Sequence, residues 1–363
     1  MPKFNLPKYQ MAGRASLTYL GEQDTLLTGN PQITYFNDKY TAKVASAKRY
    51  ETIYQESPQQ FGTESETVIT QRGDFVSAMH LRIAFPNSDI GAAVVPSFGT
   101  WIIERAELYV GGVCVERLYG EFMELEWDLT IPLSKQGALT TLVGKKQTVL
   151  VNDLLVPLPF TLLGGGLVLS GPSVHVKLVL RPYVLPITPV FTYFVEYTYL
   201  TDGVTMPKIP QLFRQIQRME FLVSGFASLP LTFGNLVKEI LVVVQATDAT
   251  RFDFSNVYLE SMSLSFNGVE RIAKQPVVLG TPTYLKIIQA LEFHTRVPDY
   301  NVYMYSFALD PEASEPTGQV NMSAIQHQML DINLVGTTTR KVHVYALTHN
   351  FYENFTTIFP SLF

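Results

Sequence analysis

Five carboxylates crowd one short stretch of the chain: Glu116, Glu121, Glu124, Glu126 and Asp128. Such a cluster suggests glycoside hydrolysis, which needs two carboxyl groups facing one another across a cleft, one as acid and the other as base or nucleophile. Read as an extended segment, Glu124, Glu126 and Asp128 fall on one strand face. That is the pattern of a solvated face, and Glu121, Glu124, Glu126 and Asp128 are expected not to converge on a cleft with a second acidic group. The six histidines, His80, His175, His294, His327, His343 and His349, include no His-x-His or His-Glu-x-x-His spacing. They read as single strand or loop residues rather than metal ligands. Cys114 sits beside a tight turn in an apolar strand with no neighbouring histidine, as a small packed residue does and a nucleophile does not. Gly164-Gly165-Gly166 is followed by no Lys-Ser/Thr pair, and Gly144-Lys145-Lys146 has no glycine five positions upstream, so neither is a phosphate loop. Arg72-Gly73-Asp74 matches a tripeptide that integrins read, but it runs straight into an apolar alternation and marks a strand entrance. Asn321-Met-Ser323 and Asn354-Phe-Thr356 are glycosylation sequons by pattern, expected to be unused. No catalytic, cofactor-binding or metal-ligating residue is assigned, and no cofactor is expected.

The balance of the chain agrees with a non-enzymatic role. Lys and Arg total 27 against 32 Asp and Glu, a formal net charge of −5 over 363 residues. Without a basic field, direct contact with nucleic acid is not expected. Charged residues are 16% of the chain, below the roughly 25% usual in soluble domains, while hydrophobic residues are 47%. That combination excludes disorder and points to outer surface buried in an assembly. A single cysteine permits no intrachain disulfide, which fits a reducing compartment. The opening residues lack the apolar core of a signal peptide, and the longest apolar run, Leu154 to Leu169, is broken by Pro157, Pro159 and Gly164–Gly166. A soluble, cytoplasmically made protein is expected.

The elements that must carry these residues have mostly period two. Phe75, Met79, Leu81 and Ile83 share one face of a predicted strand, and Val174, Val176, Leu178 and Leu180 share one face of another. Gly111-Gly112 and Asn267-Gly268 each lie between two apolar runs and tolerate the positive φ of a tight hairpin. Helical pattern is scarce, and its best candidate is Pro210–Met219 near the middle of the chain. Loops are expected over Pro86–Thr100, Gly137–Val149, Thr161–Ser173 and Leu309–Ser323. Within this pattern the chain repeats itself. Glu104–Val113 aligns with Glu260–Val269 at an offset of 156, Phe75–Ile83 with Leu236–Val244 at 161, and Val174–Val176 with Val342–Val344 at 168. One β-domain of about 160 to 180 residues is present twice, a size that suits an eight-stranded jelly roll with a few long loops.

Longer motifs carry a resemblance. Gly21-Glu-Gln-Asp-Thr-Leu-Leu-Thr-Gly-Asn-Pro-Gln-Ile-Thr-Tyr-Phe36 and the segment Tyr305–Ser323, with Asp310-Pro-Glu-Ala-Ser-Glu-Pro-Thr-Gly318 at its centre, resemble segments of the double jelly-roll major capsid proteins of nucleocytoplasmic large DNA viruses. Between them, in the same order as in that family, lie Arg72–Ser77, Gly111-Gly112 with Tyr119-Gly-Glu-Phe-Met123, Leu155–Phe160, Phe194–Leu200 and His294-Thr-Arg-Val-Pro298, with Val342–Ala346 following. The resemblance implies an all-β chain of two consecutive eight-stranded antiparallel jelly rolls with a short connecting helix. The expected divisions are a basic arm over 1–20, a first jelly roll over 21–202, a linker with the helix over 203–219 and a second jelly roll over 220–363. It further implies a structural protein of the virion, assembled in the host cytoplasm, in which homotrimers form pseudo-hexagonal capsomers that tile an icosahedral shell above an internal membrane. Neighbouring capsomers and minor capsid proteins are the implied partners. The arm carries Lys3, Lys8 and Arg14 and no acidic residue, so its cations are expected to face those partners or the anionic lipid beneath.

Two other readings use the same fold. A two-domain jelly-roll carbohydrate-binding protein or glycan hydrolase would need a cleft lined with Trp or Tyr and paired carboxylates, and Trp101 and Trp127 near the acidic cluster are its support. A minor capsid or vertex protein of the same lineage would differ in copy number rather than in chemistry.

Overall fold

The computed structural model describes residues 46–358 except 56–58, 86–92, 150–152, 170, 185–188, 201–210, 248–250, 273–276, 279–280 and 354–356. The basic arm, the Gly21–Phe36 motif and the second sequon therefore lie outside the described residues. In chain order the first half contributes β1 (Ser46–Tyr54), β2 (Glu64–Ile69), β3 (Phe75–Ala84), β4 (Ile103–Val110), β5 (Val113–Tyr119), β6 (Leu154–Pro157), β7 (Leu167–Val168), β8 (Val174–Leu180) and β9 (Val190–Leu200). The second half contributes β10 (Gln211–Val223), β11 (Phe226–Leu231), β12 (Leu236–Ala246), β13 (Leu259–Phe266), β14 (Val269–Ile272), β15 (Val277–Val278), β16 (Thr281–Pro282), β17 (Val302–Ser306), β18 (Val320–Asn321), β19 (Gln328–Leu334), β20 (Arg340–Glu353) and β21 (Thr357–Ile358).

Each half holds two large sheets, with a small β15-β16 ribbon added in the second, and the large sheets of the two halves have the same strand order. The first half pairs β1-β9-β3-β6, with β7 beside β3, and β2-β8-β4-β5. The second pairs β10-β20-β12-β17, with β18 and β21 added, and β11-β19-β13-β14. All of these pairings are antiparallel. Apolar residues of both sheets in each half meet in one core, and the first core extends through Phe213, Leu241 and Tyr345 into the second half.

The repeat is physical down to its irregularities. A β-bulge interrupts β3 against β9 between Val76 and Ala78, and another interrupts β12 against β20 between Val237 and Glu239, at the same offset of 161. Those in β4 at Ile103/Arg105 and Leu108/Tyr109 return in β13 at Leu259/Ser261 and Leu264/Ser265, at 156. The two hairpin turns occupy equivalent positions, with positive φ at Gly111, Gly112, Asn267 and Gly268.

The third aligned pair is a coincidence of β-branched sequence. Val174–Val176 lies in β8 and Val342–Val344 in β20, which belong to different sheets. The counterpart of β8 is β19: Val110 pairs with Val174, and its repeat mate Phe266 pairs with Gln328. The two strands share one alternation of buried and half-buried residues. The first bulge also corrects the inner face of β3. It shifts the phase of the strand, so Val76 rather than Phe75 joins Met79, Leu81 and Ile83 in the core.

Two helix expectations are corrected. From Gln211 onward the expected helix is instead β10, paired over its whole length with β20, so second-half strands begin ahead of residue 220. Gln215 and Gln217 made the segment look like a polar helix, but both side chains are buried and satisfied. Gln215 donates to the Val115 carbonyl at 2.7 Å and accepts from Asn350 at 3.0 Å, and Gln217 exchanges hydrogen bonds with the Gly234 backbone. Conversely, part of the loop expected over Gly137–Val149 is the end of an exposed helix, Leu133–Val143, closed by Gly144 at φ 71°.

Candidate functional site

The place where chemistry-bearing side chains gather is the junction between the two halves, built around a helix that the sequence pattern concealed. At its end β5 turns into the Gly120–Thr130 helix, whose residues are nearly all buried. Glu121, Glu124, Glu126 and Asp128 are therefore neither extended nor solvated. Helical spacing brings Glu121, Glu124 and Asp128 together along one side, where an extended reading had grouped Glu124, Glu126 and Asp128. Glu116, Glu121, Glu124 and Asp128 are each 3% exposed or less.

Buried carboxylates need partners, and these come from both halves. Glu121 lies 3.1 Å from Arg218 and 3.6 Å from Arg181, accepts from the Tyr345 hydroxyl and approaches His343 at 3.5 Å. Burial alone would raise its pKa, but His343, Arg218, Tyr345 and Arg181 hold it below the ordinary carboxylate value. Glu124 accepts from Ser97, Thr100 and Tyr300, each at 3.0 Å, and pairs with Lys145 at 3.3 Å. Asp128 accepts from the Tyr300 backbone at 3.1 Å and pairs with Arg296 at 3.0 Å. Glu126 takes both arms of the Arg214 guanidinium on β10. Glu116, before the helix, accepts from the Thr161 and Leu162 backbone at 2.8 and 3.2 Å, and burial lifts its pKa to about 7.

Next to this helix lies a cavity of about 650 Å³, lined from both halves by residues that include Phe122, Glu126, Arg214, Lys238, Glu239 and Glu312. The expectation that none of the helix carboxylates would share a cleft with a second acidic group is corrected at Glu126. The other acids belong to a clamp around His294, whose ring nitrogens lie 2.6 Å from Glu239 and 3.0 Å from Glu312. Thr295 donates its backbone N–H to Glu312 at 2.9 Å, and Lys238 reaches the Pro311 carbonyl at 2.6 Å, so the Leu309–Ser323 loop is tied down at its acidic end. Burial pushes Glu312 up, but hydrogen bonds from His294 and Thr295 outweigh it and hold the carboxyl low. A glycosidase acid must be the reverse, a carboxyl kept protonated in the cleft. Trp127 is buried in the core, and Trp101 stacks against Phe98, so the tryptophans do not form a sugar platform together.

Burial alone would push His294 below its ordinary value, but Glu239 and Glu312 lift it to about 9. A raised histidine contributes stability that is complete below about pH 6.5 and is lost as pH rises through about 9. With a side chain only 4% exposed, the shift corresponds to about 3 kcal/mol. Urea denaturation at pH 6 should show His294→Ala destabilised by that order, with the gap from the unaltered chain narrowing at pH 10. A gap unchanged with pH would mean that packing, not charge, is the contribution of His294.

The remaining sequence candidates are dispersed. His80 and His175 lie on strands of the first half, His175 being 3.0 Å from Glu66, while His349 lines the large cavity, where burial pushes its pKa down to about 4. Cys114 is half-buried, and burial raises its thiol to about 11. Arg72-Gly73-Asp74 leads into β3, where a Cβ at Gly73 would pack tightly, 3.0 Å from Tyr197 and 3.2 Å from the Thr198 carbonyl. Among the described residues no group of three His, Cys, Asp or Glu is placed to hold a metal ion.

The motif segments of the sequence converge on this junction: Gly120 to Met123 in the helix, His294 and Arg296 in the clamp, Pro311 and Glu312 in the loop, and Tyr345 on β20. The sequence family described as large eukaryotic DNA virus major capsid protein matches over residues 212–359, and that described as major capsid protein N-terminus over 34–164. The chain belongs to the double jelly-roll major capsid proteins of nucleocytoplasmic large DNA viruses. It is 25% identical to the major capsid protein of Pyramimonas orientalis virus, over 93% of this chain and 96% of that protein. With the major capsid protein of Paramecium bursaria Chlorella virus 1 the identity is 23%, over 88% and 86%. The fold is similar to that in the PBCV-1 virus capsid, with a TM-score of 0.76 at 17% identity, covering 91% of this chain and 100% of that one. It is also similar to the Faustovirus major capsid protein, with a TM-score of 0.74 at 10% identity, covering 95% and 97%. This major capsid protein is thus a structural, non-enzymatic component of the virion capsid that assembles with other capsid subunits, and its junction is a fastening between barrels.

Proposed function

We infer that three copies of this chain form a pseudo-hexagonal capsomer and that such capsomers tile an icosahedral shell. The observation that carries the reading is the repeated sheet order, bulge for bulge, within one chain. Two near-equivalent barrels per chain make six per trimer, so a threefold object can meet six neighbours in nearly the same way. Apolar side chains left on the outside of the chain, among them Tyr54, Leu222, Phe226 and Leu309, each two-thirds exposed or more, supply surface for such contacts. The first 20 residues, with their three cations, are assigned to the inner side of the shell. There they would meet minor capsid proteins or anionic lipid, each charge contributing on the order of 1 kcal/mol near a membrane. Assembly is assigned to the host cytoplasm, since a chain with one cysteine has no disulfide framework to oxidise.

Light scattering coupled to size exclusion should give about three chain masses, both for the full chain and for one starting at Gly21, and electron microscopy should show hexagonal particles. Only the full chain should form salt-sensitive shells. A monodisperse monomer at micromolar concentration would sink the capsomer, and normal shell yield from the shortened chain would remove the role of the arm.

A further inference from the structure

A second, smaller cavity at the junction, of about 70 Å³, has a different chemistry. Arg181 of the first half and Arg218, Arg251, Lys341 and His343 of the second bound it, with Glu121 as its only carboxylate among the described residues. Glu220 lies beside it, 2.6 Å from Arg218 and 3.1 Å from Lys341. Four permanent cations are thus set against two carboxylates in a partly desolvated space, where charges interact more strongly than in water.

Several donors there remain unused. The Nε atoms of Arg181 and Arg218 are buried and have no hydrogen-bond partner among the described residues. Arg251 is exposed and makes no ion pair among them. The Arg218 guanidinium also lies 3.2 Å from Nδ1 of His343. The guanidinium groups are also held in place before any ligand arrives: Arg181 lies 6.0 Å from the Trp101 ring and from the Phe252 ring, and Arg218 lies 5.0 Å from the Tyr119 ring. Fixed guanidinium forks around a space this small suit a tetrahedral group with oxygen on every corner.

We propose that this cavity binds a phosphate or sulfate group, either as the free ion or carried at the end of a larger molecule that stays outside. The site joins Arg181 of one barrel to Arg218 and Lys341 of the other, so an occupant bridges them, and binding to the folded chain alone raises its melting temperature by mass action.

The test follows melting of the full chain in graded sodium phosphate, sodium sulfate and a fully sulfated hexasaccharide, each against sodium chloride at equal ionic strength. A saturable rise beyond chloride is expected. In Arg251→Gln, which alters an exposed side chain, and in Arg181→Gln, half-saturation should move up by about tenfold, the loss of one charge-assisted hydrogen bond. Saturation by the free ions alone identifies the ion as occupant, and saturation by the hexasaccharide well below sulfate identifies a carried group. Either supports the site. No saturable rise with any of the three, or a rise undiminished in both variants, overturns it.

Discussion

Gly120→Ala is expected to abolish accumulation of folded chain, or to lower its unfolding free energy by about 4 kcal/mol or more, a loss that single substitutions rarely reach. A Cβ at this position would overlap the carbonyl oxygens of Thr100 and Ile103. Those are backbone atoms, at the end of one short helix and the start of β4, so no rotamer change relieves the clash. The junction helix starts at Gly120, and moving it would also withdraw Glu121 and Glu124 from their partners. Gly137→Ala is the control. That glycine lies within the exposed Leu133–Val143 helix, with nothing within 4 Å of the place a methyl group would take, and alanine there should be neutral or stabilise by up to about 1 kcal/mol. Expression yield and urea midpoints of the two variants decide the matter. Equal midpoints would show that the backbone around Thr100 yields easily.

Glu121→Ala should cost about 3 to 5 kcal/mol, the usual penalty for removing one partner of a buried ionic cluster. It would leave Arg218 with only the partly exposed Glu220 as countercharge and the fully buried Tyr345 hydroxyl without its acceptor. Glu121→Gln keeps an acceptor for Tyr345 and removes only the charge, so it should recover part of the loss. Equilibrium denaturation of both variants at pH 7 gives the comparison. A loss below about 1 kcal/mol in the alanine variant would mean that the ionic cluster does not fasten the barrels. Acid should act in the same direction. The Glu121 carboxyl is held below its ordinary value, so its contribution is complete above about pH 4.5 and fades as pH falls through the lowered value.

The shape of each barrel was readable in the chain because its signals are local. Alternation sufficed for β8, and the paired dipeptides Gly111-Gly112 and Asn267-Gly268 sufficed for the hairpins, since a tight turn depends on the φ its own residues can adopt. Duplication was readable wherever both copies kept a turn or a bulge. It was not readable in β8 and β19, where VHVKLVL and QMLDINL share burial but almost no residues.

By itself, then, the sequence determined the β class, the turns, the twofold repeat and, through its collinear motifs, the resemblance to viral capsid proteins. Only the tertiary structure decided β10, the Gly120–Thr130 helix and the junction. The physical reason is that a polar side chain declares nothing about burial until its partner is known. Gln215 belongs inside because Val115 and Asn350 receive it. Glu121 belongs inside because Tyr345, 224 residues further on, brings a hydroxyl to it. Alternating acids at Glu124, Glu126 and Asp128 look the same on a wet strand as on a buried helix, and the choice rests with Lys145, Arg214 and Arg296, which only the folded chain brings alongside.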